Sequence, residues 1–231
     1  MKKIFAVAIA IILGTSVIHA VDIELDVMYY PWILNRATTV SFKGKSVPKD
    51  AKSAATYNSP FLALGLNGNF YLAEKGIAKL GVSVAGGFDF GYIRLMPVNL
   101  ASGTGEVNLG WGGGGFLKVG FASSINFNDV HSLYISPGII LTGATGTWKA
   151  FLNDNRISTV LFGLDIDVGY RAFFLHASNF DFGIDCGLNI DFPLGGLISS
   201  TTTQSSEKHT FKYGAFGGGF KLYVGPAFRL K

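Results

Sequence analysis

The run Val160-Leu-Phe-Gly-Leu-Asp-Ile-Asp-Val-Gly-Tyr-Arg-Ala172 alternates with a period of two. Val160, Phe162, Leu164, Ile166, Val168 and Tyr170 fall on one side; Gly163, Asp165, Asp167, Gly169 and Arg171 fall on the other. Successive strand residues point to opposite faces, so this is a β-strand with a bulky apolar face and a face of glycines and charges. The run from 181 to 192 repeats the arrangement, with Phe182, Ile184, Cys186, Leu188, Ile190 and Phe192 set against Asp181, Gly183, Asp185, Gly187, Asn189 and Asp191.

Outward from this pair the same period returns in six further runs. On the N-terminal side they are residues 22–29, 60–72, 79–93, 107–121 and 132–142, and on the C-terminal side 212–230. The first opens Asp22-Ile-Glu-Leu-Asp-Val, with Glu24 and Asp26 opposite Ile23, Leu25 and Val27. Eight strands are thus predicted, an even number. The intervening segments 30–59, 94–106, 143–158 and 193–211 are long, and 73–78, 122–131 and 173–180 are shorter, in strict alternation. Long and short connections then collect at opposite ends of an up-and-down antiparallel sheet.

Composition says what surrounds that sheet. The chain is 48% hydrophobic and only 15% charged, against about 25% charged in soluble domains, which excludes a disordered chain. Eight strands enclose a space just wide enough for side chains to fill, and six large apolar residues from each strand would overpack it. The glycine-and-charge face therefore points inward, and the apolar face meets hydrocarbon. Strands of 11 or more residues exceed the ~9–11 needed to cross a bilayer. Aromatic residues form two levels, as interfacial rings do: Phe70, Phe121, Tyr170, Phe182 and Phe228 toward the short turns; Tyr29, Phe90, Tyr92, Phe162, Phe192 and Phe216 toward the long loops. The fold class read from the sequence is an all-β, eight-stranded transmembrane barrel with four long external loops and short periplasmic turns.

The N-terminus has the grammar of an export signal: Lys2 and Lys3, an apolar run Ile4–Leu13, then Gly14 to Ala20 ending in a small residue. Residues 1–20 read as a cleaved signal peptide and 21–231 as the barrel domain. Without Lys2 and Lys3 the chain has 17 basic and 15 acidic residues, no footprint for nucleic acid. The single cysteine, Cys186, permits no internal disulfide.

With these residues in place, the chain resembles the small eight-stranded outer-membrane barrels of the OmpX, OmpA and OmpW type over essentially its mature length. Its end, Tyr223-Val-Gly-Pro-Ala-Phe-Arg-Leu-Lys231, is similar to the signal by which such chains are assembled. The resemblance implies that Gly225, Phe228 and Leu230 carry that signal, with the assembly machinery and outer-membrane lipid as partners. It departs in the trailing Lys231 and in Tyr223, where a plainly polar residue is usual.

The inward charges predicted from the pattern are Asp22, Glu24, Asp26, Lys79, Asp89, Lys118, Asp165, Asp167, Arg171, Asp181, Asp185, Asp191, Lys221 and Arg229. Buried carboxylates need partners, which points to Arg171 with Asp181 or Asp185, to Asp22 with Arg229 across the closing seam, and to a hydrated, ion-paired filling. Phe61, Phe116, Tyr134, Ile140 and Tyr213 are the candidate apolar lining above it. Gly110-Trp-Gly-Gly-Gly-Gly115 matches a nucleotide-loop spacing but lies within a strand, where glycines serve bending and close packing.

No catalytic, cofactor or metal residues are assigned. Beyond the leader the histidines are His131, His176 and His209; two fall at short turns and one beside Ser205, Ser206 and Glu207 in a long loop, a poor basis for a Ser-His-acid site or a metal centre. The expected role is non-enzymatic: envelope integrity, surface interaction, or passage of small apolar molecules. The long loops, with Lys43, Lys45, Lys49 and Lys52 in the first and a Ser/Thr run from Ser199 to Ser206 in the last, are the surface for a ligand or host factor. The alternatives are a secreted soluble lipid- or ligand-binding barrel with reversed faces, and a lipid A-modifying enzyme.

Overall fold

The computed structural model describes the backbone of residues 22–42, 54–97, 107–150, 153–204 and 207–230, with side chains over 22–30, 62–91, 112–146, 156, 158–196 and 219–230. The leader lies outside the described residues.

Eight strands form one ring: β1 (Asp22–Phe42), β2 (Ala54–Lys75), β3 (Ala78–Pro97), β4 (Val107–Asn126), β5 (His131–Ala150), β6 (Asn153–His176), β7 (Phe180–Gln204) and β8 (Glu207–Leu230). Each pairs antiparallel with the next, and β1 pairs with β8 to close the barrel. Closure removes the open first and last strands that a sheet would otherwise present to hydrocarbon.

The turns at the short end have local causes. Lys75 pairs with Ala78, leaving Gly76 and Ile77 as the turn, and Gly76 takes φ 64°, a left-handed conformation that glycine adopts without steric cost. Between β4 and β5, the backbone N–H groups of Val130 and His131 donate to Asn128 Oδ1 at 2.9 and 2.7 Å, an Asx-type closure. Between β6 and β7, the Ala177 N–H donates to Phe180 O at 2.9 Å.

At the other end the sequence reading needs correction. Segments 30–42, 54–59, 94–97, 143–150, 153–158, 193–204 and 207–211 are strand, not loop. Strands of 20 to 25 residues are roughly twice what a tilted crossing uses. The basic residues Lys43, Lys45, Lys49 and Lys52 lie outside the described residues, and the part of the Ser/Thr run over residues 199–204 is strand.

Outward exposure marks the level of the bilayer. On β5 the outward side chains of Leu133, Ile135, Ile139 and Leu141 are apolar and exposed, and on β6 the same holds for Tyr170, Val168, Leu164, Phe162 and Val160, with Ile166 half-buried among them. Ten residues at ~3.4 Å each, tilted about 40°, give a band about 26 Å tall, close to the ~25 Å of transmembrane barrels. On the short-turn side of this band Ile77, Phe127 and Leu175 are also exposed. It ends at the other side where Thr145, Arg156 and Ser158 form an outward polar group. Phe90, Phe162 and Phe192 therefore lie in mid-strand rather than at strand ends. Beyond them the wall continues as a β-cylinder outside the band. The Tyr92 and Phe216 side chains lie outside the described residues.

Candidate functional site: the lumen

The inner faces are polar and almost fully enclosed. Glu24, Asp26, Lys118, Asp165, Asp167, Arg171, Asp185 and Asp191 are each at most 2% exposed. Such charges persist in an interior only when paired and hydrogen-bonded. Three levels satisfy them.

Nearest the short turns, Lys79 pairs with Asp22. Arg229 Nε lies 3.1 Å from Glu24 Oε1 and 3.8 Å from Asp22 Oδ2, and its Nη1 is 3.7 Å from Asp181 Oδ2. The Asp22–Arg229 pair expected at the seam is thus the weaker contact, because Lys79 reaches Asp22 and leaves Arg229 to Glu24. The Arg229 guanidinium stacks 4.0 Å from the Phe173 ring centroid.

One level farther in, Arg171 crosses the barrel. From β6 it donates Nε to Asp26 Oδ1 at 2.9 Å, Nη2 to Asp26 Oδ2 at 2.5 Å and Nη1 to Glu24 Oε2 at 2.5 Å, both acids being on β1. The predicted partners Asp181 and Asp185 are not the ones used. Asp185 is the register neighbour of Arg171, but the guanidinium points across the lumen to a carboxylate pair that its planar fork fits. Tyr134 fills the place left beside it, with its ring 3.6 Å from Arg171 Cζ and its hydroxyl 2.7 Å from Asp185 Oδ2 and 2.5 Å from Tyr223 OH. Glycine is required beneath these rings: a Cβ at Gly169 would lie 2.5 Å from Tyr134 Cε1, and one at Gly187 2.5 Å from Tyr223 Cζ.

Above this, Lys118 Nζ pairs with Asp165 Oδ1 at 2.6 Å and with Asp167, and donates to Ser136 O at 2.6 Å. Asn189 Nδ2 donates to Asp165 Oδ2 and Asp167 Oδ1 at 2.6 and 2.5 Å. Lys221 pairs with Asp191 at 2.9 Å and lies 5.3 Å from the Phe116 ring centroid. Beside it Met28, Tyr30 and Tyr223 pack with Ala63, Ala85 and Tyr134, against Phe116.

Of the predicted apolar lining, Tyr134 and Ile140 are buried inside and Phe116 is partly buried, but Tyr134 belongs to the charged level rather than above it. The Phe61 and Tyr213 side chains lie outside the described residues. Asp89 lies beside the inner backbone of β4, where its Oδ1 would be 2.6 Å from a Cβ at Gly114. The pattern reading missed Met28 and Tyr30 as inner residues. Both continue the even-numbered face of β1 begun by Glu24 and Asp26, a signal cut short where the pattern reading begins a loop at Tyr30.

Among the described residues, Asn69 on β2, Ser124 on β4, Ser132 and Ser136 on β5, and Asp185 and Asn189 on β7 each bury a side-chain polar atom with no hydrogen-bond partner, so polar chemistry lines the lumen on several walls.

Among the described residues no His/Cys/Asp/Glu group is arranged to hold a metal. His131 Nδ1 lies 2.6 Å from the Tyr170 hydroxyl, and His176 Nδ1 lies 2.9 Å from Asp181 Oδ1, both at the short-turn mouth. The His209 side chain and residues 205–206 lie outside the described residues. Cys186 is exposed on the outer wall. At the C-terminus, Phe228 faces Phe182 with ring centroids 5.2 Å apart, and Leu230 pairs with Ile23 and Phe180. Gly225 lies against the β1 backbone at Val27, leaving no room for a Cβ.

No protein-family model matches this chain, and no curated protein does. Solved structures do. The outer membrane protein OprG from Pseudomonas aeruginosa has a TM-score of 0.57 at 11% identity, covering 92% of this chain and 97% of that one. A major outer membrane protein from Thermus thermophilus has a TM-score of 0.54 at 14% identity, covering 90% and 99%. The outer membrane protease OmpT from Escherichia coli has a TM-score of 0.53 at 9% identity, covering 91% and 97%. At such identities the likeness is one of fold. An eight-stranded closed ring with an oily exterior and an ion-paired interior has the fold of the small outer-membrane β-barrels.

Proposed function

We propose that the chain is an integral outer-membrane protein with a non-enzymatic role, a closed barrel that anchors a β-cylinder at the membrane surface for envelope integrity or surface contact. The observation that carries this reading is Arg171, which bridges from β6 to Glu24 and Asp26 of β1 and, with Lys118 and Arg229 at other levels, bars the axis to hydrated solutes. The strands continue past the apolar band, so what the protein offers to other molecules lies at the far end. Export through residues 1–20, and assembly through Gly225, Phe228 and Leu230, belong to the same reading. A second reading, passage of small apolar molecules, is favoured by Met28, Tyr30, Phe116 and Tyr223 packing together inside the barrel; with the axis barred by the charges among them, such a molecule would have to leave sideways.

The test is made on the mature chain refolded in detergent. It should migrate differently before and after boiling on a gel, and in a planar bilayer it should give no sustained ionic current. Steady conductance steps from the unmodified chain would overturn the closed-barrel reading, and a protein folded and soluble without detergent would overturn the membrane reading.

A further inference from the structure

The lumen is short of positive charge. Among the described residues seven acids are buried in it against five bases. Asp185 accepts a hydrogen bond from Tyr134 on one oxygen, while its other oxygen meets no donor. Charges enclosed this far from water need counter-charges, so this interior accepts a further cation more readily than an anion. One place in it already has the shape for a cation. The Lys221 ammonium, from β8, lies 5.7 Å from the ring centroid of Tyr30 on β1 and 5.3 Å from that of Phe116 on β4, with Asp191 Oδ2 of β7 at 2.9 Å. The two rings stand edge to face, their centroids 6.2 Å apart and their planes at 81°. Tyr223 packs on Tyr30 in turn, at 6.0 Å and 70°. Two aromatic faces nearly at right angles, with a carboxylate beside them, make a cation cage.

The surrounding wall holds this cage in place. A Cβ at Gly87 would lie 2.6 Å from Phe116 Cε1, and one at Gly65 3.1 Å from both Phe116 Cζ and Met28 Cε, so glycines on β2 and β3 fix where the Phe116 ring sits. Tyr30 is buried, and cation–π attraction grows as its surroundings dry. Phe116 is only partly buried and the Lys221 side chain is 11% exposed, so the cage is in touch with solvent. A lysine ammonium is an imperfect occupant, because it is strongly hydrated and carries three donors, and ring faces return little of the hydration it gives up. A quaternary ammonium has no N–H to satisfy and is the cation that aromatic cages recognise. Its entry would add one positive charge to an interior with two surplus buried acids, so the displaced Lys221 ammonium stays among carboxylates.

We propose that Tyr30, Phe116 and Asp191 form a binding site for a small organic cation of the quaternary-ammonium class, which Lys221 occupies when no ligand is present. The inference uses only the inner face of the barrel and is independent of the membrane reading. Titration calorimetry of the mature barrel in octyl glucoside, whose head group is uncharged, tests it with choline and the uncharged carbon isostere of choline as probes. The unmodified barrel should bind choline about tenfold more tightly than the isostere. Lys221→Ala, which vacates the cage, should bind choline about tenfold more tightly again, with no gain for the isostere, while keeping the gel shift of a folded barrel. Adding Phe116→Leu to that variant should remove the preference for charge. An unmodified barrel that does not distinguish the two probes overturns the proposal, and this comparison decides alone if Lys221→Ala does not fold. A folded Lys221→Ala barrel with no gain for choline also overturns it. So do equal gains for both probes, since the place would then be an apolar pocket.

Discussion

Replacement of Arg171 by alanine is expected to cost the barrel about 3–5 kcal/mol of folding stability, the range for breaking a buried ion pair from one side. Arg171 is fully buried, and its removal strands Glu24 and Asp26 together at the barrel centre. Arg229 still reaches Glu24, so Asp26 suffers more. The Tyr134 ring also loses the cation it stacks on. Lysine at 171 should recover only part of the loss, because an ammonium cannot present the guanidinium fork to both acids. Removing the acids as well, in Arg171→Met with Glu24→Gln and Asp26→Asn, should recover much of it, since the desolvation penalty disappears with the charges. Denaturant titration of the folded fraction by gel shift measures all three. A loss below about 1 kcal/mol for Arg171→Ala would mean that water reaches these acids freely, and the filled-lumen account would fail with it.

The second large effect is on the outside. Leu164 is 48% exposed near the middle of the apolar band. Arginine there should destabilise the barrel by about 2–4 kcal/mol in a bilayer, whereas arginine at Thr145, at the edge of the band, should cost roughly 0–1 kcal/mol. The contrast between the two positions is the diagnostic part, since a wet outer wall would give small effects at both. Reversible unfolding from lipid vesicles measures the pair, and equal effects at 164 and 145 would contradict the band as drawn.

The eight strands and their two faces were legible because both environments of a membrane barrel are chemically extreme. Where lipid lies outside and charge inside, as from Val160 to Arg171, the period of two shows in every residue pair. The strand ends were not legible for the same reason. Past Thr145 and Ser158 the outer wall leaves hydrocarbon, the contrast between faces fades, and segments such as 143–150 read as loop although their backbone continues the sheet. Partner choice in the lumen was also hidden. Sequence supplies strand neighbours, so Asp185 looked natural for Arg171, but across a ring this narrow a long side chain reaches β1 as easily as its neighbour. Close packing was expected of the glycines in residues 110–115, but the rings of Tyr134 and Tyr223 lie over Gly169 and Gly187; which ring lies over which glycine follows from the strand stagger, which the alternation alone does not fix.

The most direct check uses the chain's own cysteine. Cys186 is exposed on the outer wall between Ile184 and Leu188, so a nitroxide attached there in vesicles should report its surroundings without any substitution. Collisions with dissolved oxygen should greatly exceed those with a water-soluble nickel chelate. If the nickel reagent dominates instead, the oily face is turned toward water, and the barrel does not sit in a membrane as described.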